Sequence, residues 1–151
     1  MHVRIGILTS LIAIAILTVA NGERPAFAKE CYAPDALSQA RSFSRAVSTE
    51  GGKIVWLGGQ TGSPDKNFEG QVRDIFASLD KTIKAVGGAG ITDIVTMTVF
   101  IVDVRNGDRL TEIRKEIFKD CFPASALITV TGLARPGLLI EIQGTAVIGG
   151  K

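Results

Sequence analysis

The segment "NFEGQVRDIFASLDKTIKAVGGAGITDIVTMTVFIVDV", residues 67–104, decides the fold class. Phe68, Val72, Ile75, Phe76, Leu79, Ile83 and Val86 recur at helical spacing and form one apolar face. Asn67 is the residue type that caps a helix start, and "GGAG" at 87–90 is a glycine stop. The period then changes. Val95, Met97, Val99 and Ile101 share one side of a strand, and Ile94, Thr96, Thr98, Phe100 and Val102 share the other. Both sides are apolar or hydroxylated, so this strand is expected to be central and covered twice.

Upstream, "RSFSRAVS", the turn "TEGGK" and "IVWLGG" predict a hairpin, and "QTGSPDKN" links it to the helix. Downstream, "NGD" opens a second helix with Leu110, Ile113, Ile117 and Phe118 on one face, ending near Cys121 before Pro123. "SALITVTG" and "LLIEIQGTAVI", joined by "LARPG", are two further strands. The order is β-β-α-β-α-β-β, an α+β domain with one sheet and two helices on one face. The other apolar face is most simply buried by a second copy of the chain.

The first 28 residues read differently. Arg4 precedes the uncharged run Ile5 to Ala20, and Ala26-Phe27-Ala28 is a small-x-small site. This is the pattern of a secretory signal peptide over 1–28, implying an exported protein that leaves the membrane on cleavage. An uncleaved anchor is the alternative, although the run is short for a spanning helix. Residues 29–41, "KECYAPDALSQAR", show no clear period and are expected to form a leader into a domain over 42–148.

Removing Arg4, Arg24 and Glu23 from 17 basic and 15 acidic residues leaves 15 against 14. So balanced a charge gives no steering toward nucleic acid or an anionic membrane. His2, the only histidine, leaves with the signal. Histidine-dependent triads and imidazole zinc sites are thereby excluded. Cys31 and Cys121 are expected to be bridged within the chain, unpaired, or bonded to another chain, and spacing does not choose among these.

Glu141 is the unusual acid. It alternates with Ile140 and Ile142, on a face with Leu139, Gln143, Thr145 and Val147. There a carboxylate is either desolvated, with a raised pKa suited to acid–base work, or a strand-edge group in solvent or paired with an arginine. Asp103, Asn106 and Asp108 read as helix caps, and Arg105, Arg109, Arg114, Lys115 and Lys119 as a solvated helix face. "LGGQTG" allows close backbone approach to a ligand but is not a phosphate loop.

Four stretches in order, "FSRAV…GGKIVWLGGQTG", "GQVRDIFASLDKTIKAVGGAGITDIVTMTVFIVDV", "EIFKDCFPASALITVTGLA" and "LLIEIQGTAV", resemble the Rid family, also called the YjgF family of imine and enamine deaminases. The resemblance covers about residues 42–148. It implies a chorismate-mutase-like fold assembling as a homotrimer, with a central barrel of sheets and three clefts between subunits. In deaminating members an arginine grips the carboxylate of a small imino acid, and a glutamate helps position water. Backbone from a glycine-rich strand end completes the pocket, and no cofactor or metal is required.

Carried over by position, the glutamate is Glu141, and the strand-end motif is Gly58, Gly59 and Gln60. A tyrosine of many members is Phe43, and the second glutamate of "EIEA" is Gln143. The family's "PARS" reads Pro123-Ala124-Ser125-Ala126, so Ser125 stands where the carboxylate-binding arginine is expected. One neutral hydroxyl for a bidentate guanidinium loses about 2–4 kcal/mol of recognition. Thr111 aligns with a position that often faces the cleft, and Arg114, one turn on, is expected either to follow it there or to be solvated. Arg135 in "LARPG" is a further surface arginine. Two functions are expected: hydrolytic deamination of a small imine or enamine, or a non-catalytic trimer binding a small ligand or a protein.

Overall fold

The computed structural model describes residues 28–149, so the signal-peptide reading and its apolar run lie outside the described residues apart from Ala28. The elements are β1 (Ala28–Tyr32), α1 (Ala36–Ala40), β2 (Ala46–Glu50), β3 (Lys53–Thr61), α2 (Phe68–Ala85), β4 (Ile94–Ile101), α3 (Gly107–Phe118), β5 (Ala124–Thr129) and β6 (Ile140–Ile148). Two 3₁₀ turns precede β4 and α3.

α2 forms where the periodicity placed it. Asn67 accepts a hydrogen bond from the Gly70 N–H, closing the first turn, and Glu69 and Lys84 complement the two ends of the helix dipole. Its buried face holds Phe68, Val72, Ile75, Phe76, Leu79 and Ile83, while Val86 is the partly exposed C-cap rather than part of the core. Each fully buried aliphatic side chain here contributes about 1.5–3 kcal/mol. Phe76 of α2 meets Phe118 of α3 edge to face, with ring centroids 5.8 Å apart.

Four strands form one sheet in the order β3-β6-β4-β5. β6 runs antiparallel to both neighbours, while β4 and β5 are parallel, which requires the α3 crossover between them. β4 is interior, as expected, and Met97, Val99 and Ile101 join Ile140, Ile142 and Ala146 of β6 beneath the helices. Its other side, Thr96, Thr98 and Phe100, is left partly or wholly exposed in the single chain.

The expected hairpin is replaced by a different pairing. Gly51 and Gly52, at φ +69° and +90°, reverse the chain, but β2 pairs with β1 and β3 with β6. β2 offers only Ala46 and Val47 as apolar residues, whereas Val55 and Leu57 of β3 pack under the helices. The aperiodic segment 29–41 contains β1 and α1. Lys29 anchors β1 by donating to the carbonyls of Thr92 and Ile94 at 2.7 and 2.9 Å. Cys31 and Cys121 are joined within the chain, tying β1 to the segment after α3 across 90 residues. Closing so long a loop restricts the unfolded chain.

The capping expectation also changes. Asp103 accepts from the Arg105 N–H in the 3₁₀ turn, but Asn106 makes no side-chain cap at α3.

Gln71 was outside the expected stripe yet is fully buried. Its amide donates to the Lys66 and Gly137 carbonyls at 3.0 and 2.9 Å and accepts from the Leu139 N–H at 2.9 Å. One side chain thus joins the start of α2 to the approach to β6. Gln71→Leu is expected to strand those three backbone groups and lower stability by about 2–4 kcal/mol, measured by urea unfolding.

Candidate functional site

Paired residues on neighbouring strands project to the same side, and that rule sorts the candidate residues into two groups. Glu141 pairs with Phe100 of β4 and Thr61 of β3, on the face away from the helices. Ser125 pairs with Met97, on the helix-covered side. A single chain therefore holds Glu141 and Ser125 on opposite faces of its sheet.

The Glu141 group is built by a bulge in β3. Leu57 pairs with Gly144 and Gln60 with Ile142, so β3 carries one extra residue between them, at Gly58–Gly59. The Glu141 carboxylate lies against Gly59: a Cβ there would stand 3.0 Å from Glu141 Cδ and closer still to Oε1. A side chain there would require the Glu141 carboxylate to shift. Gly58 is open, with nothing within 4 Å of a Cβ position. Glu141 is half-buried rather than desolvated in the single chain, because nothing covers this face. Among the described residues its carboxylate has no hydrogen-bond or ion-pair partner.

The bulge removes Gln60 from this group. It turns Gln60 to the helix side, where its carbonyl oxygen accepts from Ser78 Oγ of α2 at 2.8 Å. Arg135 reaches the same sheet end as Glu141, donating weakly to Thr61 Oγ1 at 3.4 Å.

The second group surrounds Arg114, and the expected solvated face fails here because α3 turns this residue inward. Arg114 is 4% exposed. One terminal nitrogen donates to Ser125 Oγ at 2.9 Å, and the other donates to the Arg41 carbonyl at 2.5 Å. Both partners are neutral. Desolvation, with a smaller push from the Arg41 charge, lowers the Arg114 pKa to about 10, so the guanidinium stays cationic at neutral pH. Its Nε is buried and has no partner among the described residues.

Thr111, one turn earlier, is at the margin of burial and spends its hydroxyl on the Gly107 carbonyl at 2.9 Å. Phe43 is half-buried, with the Arg45 guanidinium 5.4 Å from its ring centre. Arg41 and Ser42 were not legible as site residues. Ser42 sits at φ +54°, fully buried, and its hydroxyl is the other buried polar side-chain atom lacking a partner among the described residues. Sequence carries no signal for a serine in that conformation.

Among the described residues there is no cluster of three or more side chains able to hold a metal ion.

Comparison with known proteins adds to this geometry. Residues 33–148 match the family described as endoribonuclease L-PSP. The chain is similar to protein DfrA of Myxococcus xanthus, 29% identical over 70% of this chain and 84% of that protein. It is similar also to a 2-iminobutanoate/2-iminopropanoate deaminase of Dermatophagoides farinae, 30% identical over 70% of this chain and 85% of that one. A crystal structure of a Rid-family protein of unknown function from Yersinia pestis shares the fold, with a TM-score of 0.70 at 24% identity. That match covers 80% of this chain and 98% of that one.

The Arg114–Ser125 contact has a measurable consequence. Ser125→Arg is expected to press a second guanidinium against the buried one and cost at least about 2 kcal/mol. Ser125→Arg with Arg114→Met is expected to recover most of that loss. A double-mutant cycle in urea reads the coupling between the two sites.

Proposed function

From the premise that this chain belongs to the endoribonuclease L-PSP family, which includes the Rid or YjgF proteins, we propose that it hydrolyses a small imine or enamine in a cleft between copies of itself. The observation that carries this reading is the partnerless Glu141 carboxylate seated against the Gly59 backbone at the bulge. A carboxylate so placed orients a water molecule and takes its proton as the oxygen attacks the C=N carbon. The nitrogen then takes up a proton, the C–N bond breaks, and ammonia leaves with a carbonyl product. Every atom in that sequence comes from substrate and water.

The opposite-face arrangement supports an assembled site. A small substrate touches both Glu141 and the Ser125 side only where the open sheet face of one copy meets the β5 edge of another. The open face is also apolar: Trp56 is 80% and Ile54 57% exposed on β3, and Ile128 of β5 is exposed as well. Such a surface on one chain supports self-association. We infer the homotrimer of the family from this. Export is part of the same proposal, supported by the signal-like N-terminus and by a disulfide of the kind that persists in oxidising compartments.

A non-catalytic ligand-binding trimer is the second reading, favoured by the neutral Ser125. Turnover separates the two. Purified protein given freshly generated 2-iminopropionate is expected to release ammonia, with Glu141→Gln slower by about 100-fold or more. A wild-type rate equal to that of buffer would leave only the binding reading.

Assembly has its own test. Trp56 is the only tryptophan and makes little use of its own subunit. Trp56→Glu is expected to fold normally but sediment as a monomer, where the wild type sediments as a trimer. A monomeric wild type would remove the shared cleft.

A further inference from the structure

Among the described residues, every buried apolar side chain lies at Leu57 or beyond. Residues 28–56 bury three side chains, and all three are serines: Ser38, Ser42 and Ser44. The first part of the described chain is therefore attached to the domain without sharing its core. It is nevertheless tied together within itself. β1 pairs with β2 from Ala28 and Glu50 to Tyr32 and Ala46, and Asp35 caps α1 by accepting from the Ser38 N–H. Arg45 donates to Asp35 through its side chain and to the Tyr32 carbonyl through its N–H. Residues 28–50 thus form one locally bonded unit, and few buried apolar contacts hold it down.

The unit joins the rest of the chain at two places of opposite character. At one end Gly51 and Gly52 stand at φ +69° and +90°, with nothing within 4 Å of a Cβ position at Gly51. Such an uncrowded glycine pair is suited to a hinge. Near the other end Cys31 is bonded to Cys121, and both cysteines are half-buried, within reach of solvent. The remaining attachments are polar. Lys29 donates to the Thr92 and Ile94 carbonyls, and Arg41 pairs with Asp108 in water. Ser44 donates through its N–H to the Pro123 carbonyl and through its hydroxyl to the Phe122 carbonyl, at 3.1 and 2.6 Å. Residues 41–44 form a strap over Arg114: the Arg41 carbonyl accepts from its guanidinium, which is left 4% exposed beside Ser125.

We infer that residues 28–50 are a redox-released flap, hinged at Gly51–Gly52 and latched by the Cys31–Cys121 bridge, whose opening bares the junction of Arg114 with Ser125. The inference stands apart from the hydrolase reading and needs no substrate. A dithiol reductant supplies two electrons and two protons. The bond between the two sulfurs breaks, each sulfur leaves as a thiol, and the reductant closes its own disulfide by way of a mixed disulfide. With the latch open, only the polar attachments oppose rotation at the hinge, while the core from Leu57 onward keeps its packing. The flap is closed in an oxidising compartment and opens on meeting a dithiol.

Purified protein treated with the arginine reagent phenylglyoxal, before and after reduction by dithiothreitol, tests this, with labelled peptides weighed and amide exchange followed on the same samples. In the oxidised protein Arg105, whose side chain is 87% exposed, is expected to be labelled and Arg114 to be protected. Once two thiols per chain are titrated, Arg114 labelling and amide exchange over residues 28–50 are each expected to rise at least about 10-fold, with exchange in α2 unchanged. Reoxidation is expected to restore protection. Cys31→Ala combined with Cys121→Ala is expected to behave as the reduced protein without any dithiol. Should that variant fail to fold, the reduced wild type carries the test. Arg114 and residues 28–50 still protected after full reduction would overturn the inference. So would α2 losing protection together with residues 28–50, because the bridge would then hold the whole fold rather than a flap.

Discussion

Helices cover one face of the β3-β6-β4-β5 sheet and leave the other open, and that asymmetry governs the rest of the molecule. It sets which residues are core, because alternation sends Met97, Val99, Ile101, Ile140 and Ile142 under α2 and α3. It also leaves Trp56, Ile54 and Phe100 in need of cover, and it separates Glu141 from Ser125 by the thickness of the sheet. A fold with both faces covered by its own helices would have no such division.

The two halves of the candidate site are prepared by different means. Glu141 is positioned by backbone: an extra residue in β3 and a missing side chain at Gly59 let the carboxylate rest on the neighbouring strand. Arg114 is positioned by side chains and a carbonyl, under a strap held by hydrogen bonds and by the disulfide. Glu141 therefore stays partly open to water, while Arg114 is desolvated.

Ser125 illustrates how a local reading and a spatial one differ. In the sequence it is a missing arginine. In the structure its hydroxyl accepts from an arginine eleven residues earlier on α3, so a guanidinium still stands beside this position. The expectation of a solvated basic face on α3 holds for Arg109, which pairs with Glu69 and Glu112 at the surface, and fails for Arg114. Arg114 lies one turn after Leu110 on the buried stripe of α3 and Arg109 does not, so their places on the helix, with β5 and the segment at Arg41, distinguish them.

Short-range periodicity was enough to read α2 with its Asn67 cap, the interior place of β4, the core face of α3 and the alternation of Glu141, because spacing along an element dictates which side chains share a side. The tertiary structure alone decided that β2 pairs with β1, that Cys31 meets Cys121, that a bulge turns Gln60 toward Ser78, and that Arg114 reaches Ser125. Each of these depends on contact between segments distant in sequence or on a one-residue shift of register. Local composition leaves such partners degenerate, and packing of the whole chain selects among them.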